Sequence, residues 1–357
     1  MADLPAPLAE TLEVAHLHFS CDDRPGIRRE AGPDGFVYRA PDGSPVTDER
    51  TLARIASLAI PPAWTSVWVC RDPNGHVQAT GRDAKGRKQY RYHARWRQVR
   101  DEAKFDKLHE FGLRLPGLRD EVDARLRRQE LDRDRVLALV TTLLDATLIR
   151  VGNEEYAVSN RSYGLTTLRK QHAEVQGDRI VLAFRGKSGQ EHEVQLRDRR
   201  LARAVSRCLH IPGQHLFRYR GRDGEWLDVS STDVNEFLHR ATGMDATAKD
   251  FRTWGGTVEA VRALTGAGVP ETAKEAERAV LAAVDAAAER LGNTRAVARA
   301  SYVHPEVLDA YRTGALAREW RKARPARNVD RAERATLRIL DAGAAAQVAE
   351  AGEERTA

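Results

Sequence analysis

The chain has 357 residues, enough for two or three domains, with 41% hydrophobic and 31% charged residues. This balance is typical of a globular protein and excludes long disordered or collagen-like chains. No apolar stretch reaches the length of a membrane span, and the start of the chain lacks a signal-peptide pattern, so we expect a cytoplasmic protein. A net charge of +6 permits an anionic partner without requiring one.

The first part of the chain has a strand-like pattern. Residues 1–20 are predicted to form a disordered leader, and residues 21–97 contain short strands and tight turns. Alternating apolar residues flank the turn sequence DPNG at 72–75, which is a hairpin signal. One helix is predicted over 47–60, before two consecutive prolines. The segment 21–97 is therefore predicted to be a small β-rich N-terminal domain.

The spacing of the apolar residues becomes helical near residue 98 and remains helical for most of the chain up to residue 322. Residues 130–150 are apolar on most faces, which predicts a buried helix that stops at Gly152. Residues 172–197 predict three strands with turns at 176–177 and 186–189. A basic, then alanine-rich tail is predicted over 323–357. The predicted fold class is α+β: the small β-rich domain is followed by a larger, mainly α-helical domain that contains a three-stranded sheet.

Cysteine spacing argues against a metal site. Cys21, Cys70 and Cys208 are far apart and lack metal-ligand spacing, so we predict free thiols in a reducing compartment and no zinc. The sequence also offers no carboxylate cluster suited to Mg²⁺. No GxxxxGK[ST] nucleotide-binding loop is present, so no cofactor is predicted.

Two tyrosines near the C-terminal end have different settings. Tyr311 follows Val307 and Leu308 at helical spacing, on a helix that Pro305 would start, so it is predicted to face the core. Tyr302 lies before Pro305, where the chain is pushed away from helix, so it is predicted at a turn or a helix end. A plain buried ring and a chemical role both remain open for Tyr302.

Two arginines have both structural and chemical interpretations. Arg150 lies at the end of the apolar helix, where its charge would complement the negative end of the helix dipole. Arg252 points away from the apolar stripe of the segment KDFRTWGGTVEAV, which places it on a solvated face or in a cleft as a phosphate ligand.

A lysine and an asparagine lie beside glycines. Lys187 is predicted at the tip of a hairpin between Gly186 and Gly189, where it is either solvated or able to reach a bound backbone. Asn293 follows Gly292, which would end one helix, and is predicted to cap the next helix. Together with the two arginines and Tyr302, these residues form a set suited to phosphoryl transfer: two guanidinium groups, an amide, an amine and a phenol.

Four segments carry a resemblance to a known family. They are LIRVGNEEYAVSNRSYGLTTLRKQH at 148–172, RGKSGQ at 185–190, KDFRTWGGT at 249–257 and LGNTRAVARASYVHP at 291–305. In order and spacing, they resemble bacterial, poxvirus-like type IB DNA topoisomerases, and the resemblance runs from about residue 24 to about residue 320. It implies the tyrosine topoisomerase and recombinase catalytic fold, in a monomer that forms a C-shaped clamp on double-stranded DNA. It also implies relaxation of supercoiled DNA in the cytoplasm, at the nucleoid, without ATP or metal.

The resemblance also implies a role for each residue. Tyr302 resembles the nucleophile that forms a transient 3′-phosphotyrosyl link before religation, and Arg150 and Arg252 resemble the pair that holds the non-bridging oxygens. Lys187 resembles the general acid for the leaving 5′-oxygen. Lys249 matches a family lysine that assists this proton transfer.

Asn293 occupies a position where poxvirus enzymes carry histidine and bacterial members carry asparagine. Its amide can donate a hydrogen bond but cannot titrate. The resemblance therefore implies a phosphate ligand at this position, and a proton carrier there is in doubt.

The segment GRDAKGRKQYRYHARW at 81–96 resembles a DNA-contacting strand. Gln89, Tyr90 and Tyr92 match the Gln-Tyr-x-Tyr set with which poxvirus enzymes touch bases. The flanking cations would contact phosphates: Lys85, Arg87, Lys88 and Arg91. An exposed basic strand with no DNA role is the structural alternative.

Three other functions are alternatives to the relaxation of supercoiled DNA. A tyrosine recombinase uses similar chemistry but predicts a helical N-terminal domain. A non-catalytic DNA-binding protein on the same scaffold needs the basic surface but not the complete set of site residues. A nuclease would need water as the attacking group, and no metal site or base in the sequence supports it.

Overall fold

The computed structural model describes residues 6–32, 35–128 and 130–354 of the chain. Two compact units, Met1–Lys104 and Phe105–Ala357, divide the chain inside a single helix, Ala94–Leu126. The sequence pattern placed the boundary near residue 98. The change to a helical period marks the start of this helix, whereas the contacts of the first unit extend through its first turns.

The first unit contains a five-stranded antiparallel sheet with the strand order β2-β1-β3-β4-β5. The elements are α1 (Ala6–Val14), β1 (Ile27–Gly32), β2 (Gly35–Arg39), α2 (Glu49–Ser57), β3 (Thr65–Val69), β4 (Val77–Arg82) and β5 (Lys88–Tyr92). The predicted hairpin is the β3–β4 pair, and the predicted helix is α2. The Asp48 side chain caps α2 by accepting from the backbone N–H of Thr51 at 2.8 Å.

The prediction of a disordered leader is wrong for the residues that the structure describes. Helix α1 and the short segment after it bury Leu12, Ala15 and Leu17 in one apolar cluster with Trp96. Leu8, Leu12 and Ala15 have helical spacing, but the stripe is short and its partner, Trp96, lies about 80 residues further along the chain. Residues 1–5 lie outside the described part of the chain.

The second unit is mainly helical, as predicted. Its elements are α3 (Ala94–Leu126), α4 (Arg133–Thr147), α5 (Glu154–Asn160), β6 (Ala173–Gln176), β7 (Arg179–Arg185), β8 (Glu191–Arg197), α6 (Arg199–Leu209), β9 (Arg218–Arg220), β10 (Trp226–Asp228), α7 (Ser231–Thr242), α8 (Ala248–Ala267), α9 (Ala273–Leu291), α10 (Arg295–Ser301), α11 (Pro305–Arg312), α12 (Ala315–Lys322) and α13 (Arg331–Glu354). Strands β6, β7 and β8 form the predicted antiparallel three-stranded sheet. The α+β fold class is confirmed. Within the described residues, no helix is both long and apolar enough to cross a bilayer.

Helix α4 ends earlier than predicted. Leu148 adopts a left-handed conformation with φ of 56°, and its N–H bonds to the carbonyl of Leu144 as a C-cap. The prediction extended the helix to Gly152 because the apolar run continues past its end. Arg150 therefore lies beyond the helix and does not form its last turn.

The predicted C-terminal tail is packed against the second unit for at least part of its length. The first half of α13 buries Ala332, Ala335 and Leu337 in the core of the second unit. Glu333 accepts from Arg119 at 2.7 Å, and Arg119 also binds Asp145 at 2.7 Å. The buried acid in this helix gave no sequence signal because its side-chain donors, Arg119 and Trp254, lie on α3 and α8.

The ion network at Glu333 yields a stability prediction. We expect Arg119→Met to lower the free energy of unfolding by about 3 kcal/mol, because it leaves two poorly solvated carboxylates without a cation. Urea unfolding followed by circular dichroism measures the change. The matched control is Arg114→Met on the same helix, whose ion pair with Glu110 is exposed and 3.4 Å long. It should cost less than about 0.5 kcal/mol, and equal losses in the two variants would contradict the prediction.

Candidate active site

The centre of the site is a guanidinium group buried between the ends of two helices. Arg252 lies in the first turns of α8 and is only 4% exposed. It donates to the carbonyl of Leu148, the C-cap of α4, and at 2.8 Å to the carbonyl of Leu291, the last residue of α9. Helix C-termini carry partial negative charge, so these carbonyls compensate the cation without a carboxylate.

The solvated-face interpretation of Arg252 is wrong, because the residue is buried, whereas the cleft interpretation stays a prediction and the side chain lines a small cavity. Helix α8 is buried around its whole circumference near Arg252, because five consecutive residues from Asp250 to Trp254 are all buried. A residue that points away from the main apolar stripe therefore still faces protein. The Arg252 Nε is buried and has no hydrogen-bond partner within the described residues.

Arg150 and Asn293 meet beside this group. The Arg150 guanidinium donates to the Asn293 Oδ1 at 2.6 Å. Asn293 is not the predicted helix cap, because Thr294 accepts from the backbone N–H of Val297 and caps α10. The Asn293 amide is thus free of capping, and its Nδ2 is buried without a hydrogen-bond partner among the described residues.

Tyr302 is the C-cap of α10, in agreement with the prediction of a helix end. The Thr257 hydroxyl of α8 donates to its carbonyl at 3.1 Å. Gly256 permits this contact, because a Cβ atom there would lie 2.8 Å from the same carbonyl oxygen. The Arg252 guanidinium lies 5.1 Å from the centre of the Tyr302 ring.

The surrounding charges favour the phenolate form of Tyr302. Burial alone would raise the pKa of its hydroxyl, but the nearby cations Arg252, Arg150 and Lys249 together bring the pKa below its ordinary value. Tyr311 is the buried core residue that the sequence predicted, at 4% exposed. Burial, assisted by the charge of Glu275, raises the pKa of its hydroxyl. The hydroxyl pKa is therefore lowered at Tyr302 and raised at Tyr311.

Lys187 lies on the predicted hairpin tip, in a short turn (Lys187–Gly189) between β7 and β8. The residue is exposed, and its side chain lines the same cavity as Arg150 and Arg252. Lys249 is an exposed residue in the first turn of α8. The structure thus brings together all six predicted site residues of the second unit.

Among the described residues, four polar side chains that the sequence did not single out also line the cavity: Thr147, Tyr163, His192 and Arg290. His192 lies on β8 and lines the cavity with Arg150 and Lys187. Exposure alternates along β8, with the less exposed residues at His192, Val194 and Leu196. A histidine on the inward-facing side of a strand beside the Lys187 turn was the available signal. Among the described residues, no group of three or more His, Cys, Asp or Glu side chains is placed to hold a metal ion.

The proposed base-contacting residues lie on β5, an edge strand of the first unit. Tyr90 and Tyr92 share one face, with ring centroids 5.8 Å apart and planes at 12°. Tyr90 is 44% exposed, whereas Tyr92 packs against the apolar clusters that contain Trp96 and Trp68. Gln89 lies on the opposite face and donates to Asp83 at 3.0 Å. The strand therefore does not present the three side chains on one face.

Most cations of this segment are engaged within the first unit. Arg87 pairs with Asp83 at 2.7 Å, and Lys88 pairs with Asp22 at 2.8 Å. Arg91 donates to the carbonyl of Ala59 at 2.7 Å. Lys85 is exposed on the turn before β5. These residues line one edge of the sheet, but ion pairs offset part of their positive charge.

Comparison with known proteins identifies the family. Residues 93–328 match the family described as eukaryotic DNA topoisomerase I, catalytic core, and residues 35–83 match the bacterial DNA topoisomerase IB N-terminal domain. The DNA topoisomerase 1B of Acanthamoeba polyphaga mimivirus is 34% identical over 293 residues, which cover 80% of this chain and 87% of the viral protein. The chain belongs to the type IB DNA topoisomerases.

Two further relatives match shorter regions. The DNA topoisomerase 1B of Vaccinia virus (strain Copenhagen) is 29% identical over 116 residues, 32% of this chain and 36% of its own length. The DNA topoisomerase 1 of Mycosarcoma maydis is 30% identical over 98 residues, 27% of this chain and 10% of that protein. The predicted resemblance is confirmed, and type IB topoisomerases are isomerases. The recombinase alternative required a helical N-terminal domain, whereas the first unit of this type IB topoisomerase is built on a β-sheet.

The opposite settings of the two tyrosines yield a titration prediction. In an ultraviolet titration of the free protein, we expect Tyr302→Phe to remove a phenolate that forms below the ordinary tyrosine range. Tyr311→Phe should instead remove one that forms above it. Lys249→Met should move the Tyr302 step to higher pH, because it removes a positive charge that stabilises the phenolate. A step that stays in place, or moves to lower pH, would contradict this electrostatic assignment.

Proposed function

We propose that this type IB topoisomerase relaxes supercoiled duplex DNA by cutting and resealing one strand through a phosphotyrosyl intermediate. The observation that supports it is a pair of guanidinium groups that donate to carbonyl and amide oxygens and lie beside a phenol of lowered pKa. Among the described residues, no Asp or Glu lines the cavity that contains Arg150, Lys187 and Arg252. Such a site favours an anion.

In the proposed reaction, the Tyr302 oxygen attacks the phosphorus of one backbone phosphodiester. A bond forms between phosphorus and the tyrosyl oxygen, and the bond from phosphorus to the 5′-oxygen breaks. The phenolic proton passes to solvent, and the 5′-oxygen leaves as a hydroxyl after it receives a proton from Lys187. One ester replaces another, so the reverse attack by the 5′-hydroxyl reseals the strand without ATP. While the strand is open, torsion in the DNA drives rotation of the free end.

Arg252, Arg150 and Asn293 are the proposed ligands of the phosphate. The unpaired Nε of Arg252 and Nδ2 of Asn293 are donors already removed from water, so a non-bridging oxygen would satisfy them at low desolvation cost. Charge on these oxygens increases in the transition state, where fixed donors stabilise it most. Loss of one such donor typically costs about 10²–10³ in rate.

Two lysines have proposed proton roles. Lys187, on the tip of the β7–β8 hairpin, is the general acid. Lys249 lowers the pKa of Tyr302 by its charge and is proposed to assist the proton transfer to the 5′-oxygen. Near neutral pH, an ammonium can donate a proton and become neutral, whereas a guanidinium keeps its proton.

The first unit is proposed to bind duplex DNA through β5. Tyr90 offers an exposed ring for base edges, and the cations of the strand would exchange aspartate partners for phosphates. Binding should weaken as salt increases, with a slope of roughly −0.9 per phosphate neutralised. A single chain bound to duplex DNA is proposed as the active form. We place it in the cytoplasm on the nucleoid, where its substrate is found.

The nucleophile assignment yields the main test of function. We expect Tyr302→Phe to abolish relaxation of a supercoiled plasmid and the covalent adduct on a labelled duplex, because the attacking oxygen is lost. Duplex affinity, measured by fluorescence anisotropy, should remain within about threefold because the phosphate ligands remain. Wild-type relaxation should persist in EDTA without ATP.

Tyr311→Phe is the matched control, since it makes the same chemical change at a buried core ring. It should retain adduct formation. An adduct in Tyr302→Phe would overturn the assignment. Wild-type protein that binds DNA but never relaxes it would instead support the non-catalytic alternative.

The two tyrosines of β5 yield a binding prediction. Tyr90→Ala should weaken duplex binding without lowering the thermal midpoint, because its ring is largely outside the core. Tyr92→Ala should lower the midpoint of the first unit, because it removes packing from two apolar clusters; such truncations cost about 3–5 kcal/mol when the ring is fully buried. Anisotropy and differential scanning calorimetry measure the two effects. If Tyr90→Ala binds DNA like the wild type, the role of this strand is wrong.

A further inference from the structure

The His192 ring contacts two turns that each precede a proposed catalytic residue. A Cβ atom at Gly186 would lie 2.5 Å from its Cδ2 and 2.6 Å from its Nε2. A Cβ atom at Gly292 would lie 2.7 Å from its Cε1. Both distances are shorter than real contacts, so the ring fits against both turns only because each has glycine there. Gly186 is followed by Lys187, and Gly292 is followed by Asn293.

The ring is also fixed from a third side. It stacks on Phe184 of β7, with ring centroids 5.3 Å apart and planes at 20°. Phe184 is only 5% exposed and belongs to the main core of the second unit. The hairpin turn is closed by a 2.7 Å bond from the Gly186 N–H to the Gln190 carbonyl. His192 therefore connects a rigid core position to both turns.

Lys187 itself has no comparable support. It is exposed, and a lysine side chain loses about 1.5–2 kcal/mol of rotamer entropy when it is fixed. The position of its amine over the phosphate depends on where the turn is held relative to the Arg150–Asn293 pair. A displacement of about 1 Å in such a group can cost about 10²-fold in rate.

We propose that His192 is a positioning residue, whose ring holds the Lys187 turn against the Asn293 turn and so directs the general acid at the 5′-oxygen. This inference rests on the proposed function. The ring acts as a neutral spacer between cations and not as a proton donor. Its role should therefore depend on its shape and on its lack of charge.

The charges around the ring support a neutral form. Burial lowers the pKa of His192, the nearby Arg150 and Arg252 lower it further, and only Glu191 opposes them. With the pKa below its ordinary value, the ring is neutral at pH 7 and becomes charged only as the pH falls. Protonation then adds a further cation to a cavity that Arg150, Lys187, Arg252 and Arg290 already line, and it loosens the packing. Cleavage should therefore decline on the acid side in the wild type.

The test is single-turnover cleavage of two duplexes that differ in one atom. One has the normal 5′-oxygen at the cleaved bond, and the other has sulfur there. A thiol has a pKa of about 8.5, far below that of an alcohol, so it leaves without a general acid. His192→Ala should cleave the oxygen substrate about 10²-fold more slowly and the sulfur substrate near the wild-type rate. Lys187→Ala is the reference variant and should show the same rescue by sulfur.

His192→Phe keeps a ring of similar size and removes the titratable nitrogens. It should recover most of the rate lost in His192→Ala at pH 7.5, and its acid-side decline should be weaker than that of the wild type. Before cleavage is measured, the thermal midpoint and the duplex affinity of both variants are compared with those of the wild type. Recovery in the phenylalanine variant distinguishes positioning by the ring from proton transfer by its nitrogens.

Two results would overturn the inference alone: wild-type cleavage by His192→Ala, or equal slowing on both substrates while Lys187→Ala is rescued by sulfur. An unchanged slow rate for His192→Phe at pH 7.5 would also overturn it. Failure of sulfur to rescue Lys187→Ala would instead remove the general-acid assignment from the proposed function, and the inference with it.

Discussion

A guanidinium group held by the carboxyl ends of two helices is the interaction on which the site depends. Arg252 is removed from water, and its charge is offset by the carbonyls of Leu148 and Leu291. Arg119, elsewhere in the same unit, has its charge offset in a different way, by two carboxylates. Paired acids neutralise a cation completely and would compete with a phosphate. Carbonyl dipoles keep the cation in place and leave its charge available to a ligand.

The rest of the site follows from this arrangement. To turn a carbonyl toward Arg252, helix α4 ends in a left-handed residue, Leu148, and the chain then leaves the helix axis so that Arg150 lies nearby. Helix α9 likewise ends at Gly292 with φ of 58°, which brings Asn293 beside Arg150. Tyr302 comes close because Gly256, one turn along α8 from Arg252, permits backbone contact. One side chain thus fixes three distant segments of the chain.

Local rules predicted the parts of this arrangement that are local. Proline placed Tyr302 at a helix end and Tyr311 in the core, and glycine spacing placed Lys187 on a hairpin tip. The same rules failed where tertiary packing decides. Helical spacing indicated which face Arg252 occupies, but not that α8 is enclosed on every side. The sequence predicts Asn293 as the helix cap, but the next residue, Thr294, is also a common cap residue. Local sequence does not decide which of the two neighbours caps the helix. His192 carried no motif, since its partners are two glycine backbones.

The cations of the two units have different partners, and this difference suits the two units to different proposed tasks. Arg87, just before β5, and Lys88, its first residue, already pair with aspartates, so the proposed contact with DNA would exchange one anion for another. Exposed pairs of this kind contribute about 0.2–1 kcal/mol, so the exchange is nearly neutral and tolerates different registers on a duplex. In the second unit, the Nε of Arg252 and the Nδ2 of Asn293 have no partner to give up within the described part of the chain. A phosphate bound there gains the full interaction only at one position, because the donors are fixed by helix ends. Loose attachment by the first unit and strict placement by the second would suit the proposed reaction, which acts on any part of a long duplex yet breaks a bond at a single phosphorus atom.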